Sequence, residues 1–90
     1  MSTVIHKFPL KLQSEQQIEI CTGAWILDLQ VQNGVPALWA MVDDKDQKHK
    51  RDIIMLATGQ KIECIGNLEY LGTAQVHSGL VFHFFQRVAF

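Results

Sequence analysis

Ninety residues, 48% of them apolar and 19% charged, with a net charge of −1, describe one small globular domain rather than a disordered chain. A domain of this size buries roughly 60–65% of the surface its unfolded chain exposes, so the core is thin. The near-neutral balance, with an isoelectric point near 6.4, supplies no whole-molecule field for nucleic acid or an anionic membrane.

Gly23, Gly34, Gly59, Gly66, Gly72 and Gly79 punctuate short runs rich in Val, Ile, Leu, Phe and Trp, which is the spacing of an all-β protein. Residues 3–8 form a first strand, ended by Pro9, which has no amide hydrogen for a ladder. Residues 14–17 (SEQQ) offer a capping-box pattern worth at most one helical turn. A short alternating strand follows at 17–21, and Thr22-Gly23 turns the chain. Strands at 24–32 and 35–43 flank Asn33-Gly34. Another at 52–58 stops at Gly59, and residues 69–77 and 80–86 make a second hairpin around Ser78-Gly79. With no linker or repeat, residues 1–90 read as a single β domain. The expected architecture is a small sandwich or partly open barrel of about six or seven mostly antiparallel strands.

Asn33-Gly34 is the strongest local signal, because a type I′ turn needs positive φ at both central residues. It sets Val31 against Pro36, Leu29 against Leu38 and Asp28 against Trp39. Regular pairing then continues with Leu27 against Ala40, Ile26 against Met41 and Trp25 against Val42. One face carries Trp25, Leu27, Leu29, Val31, Leu38, Ala40 and Val42 and is the expected core. The other carries Ile26, Asp28, Gln30, Gln32, Ala37, Trp39 and Met41. The 31/36 pair is not hydrogen-bonded, so proline there leaves this hairpin intact but blocks pairing on its far side, which implies a sheet edge.

Trp39 therefore lies on the more polar face, where either a second layer or a partner must cover it. With Met41 and Ile26, ringed by Asp28 and Gln30, it makes the expected partner-binding patch. The charge run at 43–52 (DDKDQKHKRD) reads mainly as a solvated connection, with Lys48, Lys50 and Arg51 as its candidates for a phosphate or RNA contact. No paired spacing supports a metal site from Cys21, Cys64, His77 and His83, and both cysteines are expected reduced. Ser2 and Ser14 lie in polar N-terminal sequence and Ser78 in a turn. Nothing marks Cys64 with His77 or His83 as a nucleophile and base, and His6 is equally open between structural and functional roles. His83, in LVFHFF, is expected half-buried and hydrogen-bonded. The apolar C-terminus FFQRVAF fits a docked strand or a dimer contact. The N-terminus lacks the apolar stretch of a secretory leader, and no run approaches the ~18 apolar residues of a membrane span. The expectation is a cytoplasmic, cofactor-free, non-enzymatic protein.

Ile5-His6-Lys7-Phe8, residues 30–40 with their Asn33-Gly34-Val35-Pro36 and Leu38-Trp39-Ala40, Tyr70 to Gln75, and Val81-Phe82-His83 carry one further observation. Through them the whole chain resembles a family of short, functionally uncharacterised proteins of tailed phages and prophages. The resemblance implies no catalytic residues. It implies a small accessory protein of a mobile element, and such proteins are frequently inhibitors of host defence, anti-CRISPR proteins among them. The leading expectation is thus a protein that binds a host or defence protein. A homo-oligomeric structural or virion-associated module and a nucleotide-sequestering protein are the alternatives.

Overall fold

A computed structural model describes residues 2–63 and 66–88. Within them the chain is all-β, with the order β1 (Thr3–Pro9), β2 (Glu15–Cys21), β3 (Trp25–Gln32), β4 (Val35–Asp43), β5 (Lys48–Ala57), β6 (Leu68–Gln75) and β7 (Val81–Arg87). A single 3₁₀ turn, His77–Gly79, joins the last two. Every pairing is antiparallel, in two sheets ordered β1-β4-β3 and β2-β5-β7-β6. The sheets stack as a sandwich-like pair of layers, with β3 of one packed on β6 of the other. Among the described residues no helix is long and apolar enough to cross a membrane.

The core is built from one face of each sheet. Leu29, Leu38, Ala40 and Val42 come from the first sheet, and Ile18, Ile20, Ile53, Ala74 and Phe84 from the second. All are buried, and Leu10 closes one end. No polar or charged residue is buried among the described residues.

The central hairpin forms as its turn dictates. Asn33 has φ 53° and Gly34 φ 79°, and the pairs run Gln32↔Val35, Val31↔Pro36, Leu29↔Leu38 and Asp28↔Trp39. Beyond Asp28 the expected register fails. Leu27 is an extra residue on β3, so Ile26 faces Ala40 and Trp25 faces Met41. One inserted residue reverses the face of everything beyond it in a period-two strand. Ile26 therefore packs against the core, whereas Trp25 and Leu27, expected inside, are exposed. β6 carries a matching irregularity between Tyr70 and Gly72. The two bulged strands are those that meet between sheets, and an ideal Cβ on Gly72 would sit 2.9 Å from Leu29 Cβ. Bulges bend and twist strands, which brings these edges together.

Pro36 keeps the expected non-hydrogen-bonded place opposite Val31, but it does not mark an edge. β4 is the middle strand, with β1 paired along its far side from Thr3↔Asp43 to Pro9↔Ala37. Proline lacks only the donor, and the Pro36 carbonyl still accepts the Leu10 amide at 2.9 Å. Pro9 and Pro36 together end that ladder. Ser14 to Gln17 form no helical turn. Strand β2 starts at Glu15, and the Met55 amide donates to the Ser14 carbonyl. The charge run is not one connection either. Residues 44–47 turn the chain, and Lys48 to Asp52 are the first half of β5, paired from Cys21↔Lys48 to Gln17↔Asp52. Ladder hydrogen bonds to an adjacent strand override weak intrinsic strand preference. In the last hairpin β6 ends at Gln75, opposite Val81, two residues earlier than expected. The connection is correspondingly longer, with both Ser78 and Gly79 at positive φ.

Candidate functional site

The outer face of the β1-β4-β3 sheet follows from register. Ile5 and Trp25 flank Met41 in one row across three strands, and Lys7, Trp39 and Asp28 form the next row. Side chains in such rows point the same way. Trp25 is 70% exposed, Ile5 57%, Leu27 43% and Met41 36%, while Trp39 is half-buried between its neighbours. The polar rim is pre-arranged. Lys7 Nζ donates to Gln32 Oε1 across the sheet. Asp28 accepts from the Leu29 amide at 2.8 Å and from Gln30 Nε2 at 2.7 Å.

Of the residues expected in this patch, the structure brings together Trp39, Met41, Asp28 and Gln30. Ile26 is excluded by the bulge. Trp25, Ile5 and Leu27 were missed. Nothing in the sequence marks the bulge, and the alternation of β1 (TVIHKF) fits either face until its pairing with Met41 is known.

A second feature lies where β5 and β7 part. Their ladder begins at Ile53↔Gln86, while β7 stays with β6 to Leu68↔Arg87. The resulting cleft holds about 530 Å³ and is lined by Ala24, His49, Lys50, Arg51, Asp52, Glu69, Gln86, Arg87 and Val88. Lys50 and Arg51 of the expected basic trio belong to it. Lys48, exposed at the start of β5, does not line it. Arg51 Nη1 donates to Gln86 Oε1 at 2.9 Å, and Gln86 Nε2 donates to Glu69 Oε1 at 3.0 Å. Burial pulls the Arg51 pKa below its ordinary value, and the Glu69 carboxylate partly restores it. Arg87 lies 3.6 Å from Asp52 and 3.9 Å from Glu15, and its Nε is buried without a hydrogen-bond partner among the described residues.

His83 is half-buried on the outer face of the β2-β5-β7-β6 sheet, as expected of a histidine among aromatics. Its ring nitrogens meet the Thr58 hydroxyl at 2.7 Å and the Thr73 hydroxyl at 2.9 Å, and Thr73 in turn meets the Tyr70 hydroxyl. With both nitrogens engaged, the network ties β7 to β6 and to Thr58, the residue that follows β5. His6 is exposed on β1, beside Phe8, and His77 is exposed in the 3₁₀ turn. Cys21 is a buried free thiol. Cys64, and the end of the apolar C-terminus at Ala89-Phe90, lie outside the described residues. Among the described residues no three His, Cys, Asp or Glu side chains are grouped to hold a metal ion.

Over residues 1–90 the chain matches the family described as Domain of unknown function (DUF7352). No curated protein and no solved structure matches it.

Proposed function

Because the chain belongs to the DUF7352 family of domains of unknown function, and membership assigns it no chemistry, we propose from its surface that it is a non-enzymatic binding module. Its docking face is the outer side of the β1-β4-β3 sheet. The observation that carries this is the row Ile5, Met41, Trp25, in which a tryptophan is 70% exposed in a domain with so thin a core. Burying that side chain in a partner removes a large apolar area from water, and aromatic anchors inside a polar rim dominate the energetics of many interfaces. The paired strands beneath fix the backbone that carries these side chains, so little backbone ordering entropy is lost on docking.

The resemblance to short phage and prophage proteins supplies the partner's class. It is a host protein in the bacterial cytoplasm, in the narrower form a component of a defence system whose working surface the sheet covers.

The test uses wild type and Trp25→Ala as parallel baits in bacterial lysate, followed by calorimetry of each with the purified partner. Truncating an anchor should cost about 2 kcal/mol, roughly thirtyfold in affinity, with melting unchanged because Trp25 is outside the core. Equal affinity of the two baits would remove Trp25 as anchor. A wild-type dimer that Trp25→Ala converts to a monomer would assign the face to self-association instead.

A further inference from the structure

The cleft between β5 and β7 lies apart from the docking face and has its own chemistry. Its volume of about 530 Å³ falls within the roughly 300–1,000 Å³ of small-molecule sites. Two arginines line it, Arg51 from the face shared with Gln86 and Glu69 and Arg87 from the face shared with Asp52, and each guanidinium has five N–H donors. Among the described residues they make one hydrogen bond, Arg51 to Gln86 at 2.9 Å, and two ion pairs at 3.6 and 3.9 Å, too long for good hydrogen bonds. Among the described residues the Nε of Arg87 is buried and has no hydrogen-bond partner, and a buried donor left so is destabilising until an acceptor reaches it. Arg51 is pre-positioned, since Gln86 grips its Nη1 and Glu69 grips Gln86. Lys50 adds a third cation at the wall.

A guanidinium recognises a tetrahedral oxyanion through two parallel N–H bonds. The same cleft also presents the Glu69 carboxylate and the Gln86 amide, which accept hydrogen bonds from hydroxyls. We propose that the cleft binds a small phosphorylated sugar or mononucleotide, with the phosphate on Arg51, Arg87 and Lys50 and the sugar hydroxyls on Glu69 and Gln86. Several cations for the phosphate and acceptors for the sugar separate this ligand from bare phosphate. The carboxylates opposite the arginines weigh against a polyanion such as RNA.

Calorimetry on the full chain with ribose 5-phosphate, inorganic phosphate and ribose as separate probes tests this. Ribose 5-phosphate should bind saturably below about 1 mM, phosphate more weakly and ribose not at all. Arg51→Gln should weaken binding at least about tenfold, while Lys48→Gln, outside the cleft, leaves it unchanged. On wild type, amide shifts in a ¹H–¹⁵N titration should cluster at residues 49–52, 69 and 86–88, a readout that does not depend on any variant folding. No saturable binding, equal affinity for phosphate and ribose 5-phosphate, retention in Arg51→Gln, or shifts centred elsewhere would each overturn the proposal. Trp25→Ala leaves ribose 5-phosphate binding intact, so failure here and failure of the docking face are distinguishable.

Discussion

Gly72 shows how a single residue sets the distance between the two sheets. Its backbone is not in the left-handed region; what it supplies is the absence of a Cβ where Leu29 Cβ would lie 2.9 Å away. Gly72→Ala should destabilise the fold by about 1–3 kcal/mol through overpacking, read as a lower urea midpoint at unchanged slope. Leu29→Ala should not rescue it, because alanine keeps the offending Cβ. Gly34→Ala, at φ 79°, should lose about 1–2 kcal/mol by forcing a side chain into the left-handed region. These two glycines differ in how visible they are. Asn33-Gly34 can be read from the sequence because the constraint lies in the dipeptide itself. Gly72 cannot, because its constraint comes from a strand in the other sheet.

At the scale of the strand, the hairpin β3–β4 is legible from its turn as far as Asp28↔Trp39 and no farther. A bulge is chosen by how a strand must bend to meet its neighbours, so Leu27 carries no mark in the sequence. That is why the patch expected around Trp39 and Met41 includes Ile26, which the structure packs against the core, and leaves out Trp25, which it exposes. Deleting Leu27 should restore regular pairing, turning Trp25 inward and Ile26 outward. The expected readouts are a lower midpoint of unfolding and a blue shift of tryptophan emission in whatever remains folded. Strand β5 was half-legible for a different reason. Its apolar end announces itself, whereas Lys48 to Asp52 are held in strand by β2. Amide hydrogen exchange should find the β2-bonded amides among Lys48 to Asp52 slower than those of Lys45 and Asp46, whose bonds reach only back to Asp43 within the turn. Uniformly fast exchange across both would place that stretch outside the sheet. The charged cleft was legible only through Lys50 and Arg51, since Glu69, Gln86 and Arg87 join them by topology alone.

The whole molecule is a slab, 43 × 33 × 16 Å in Cα extent with a radius of gyration of 13.4 Å, against the about 12 Å expected of a rounder domain of this length. A two-layer slab takes most of its stability from the one apolar seam. The Arg87 ion pairs are long and about one-third exposed on the arginine side, so Asp52→Asn should change stability by less than about 1 kcal/mol. A larger loss in thermal unfolding would mean that the charges of this corner are structural. In a two-layer slab the face that a strand residue presents follows from whether its position is odd or even. The Leu27 bulge is one place where that count changes, and the irregularity between Tyr70 and Gly72 is another. Relatives that differ in length by one residue between Cys21 and Asp28 should therefore show apolar and polar positions exchanged at the start of β3, whereas a difference of two should leave them in step. Length parity at this point would then sort the family by whether position 25 or position 26 faces solvent, before any overall identity is considered.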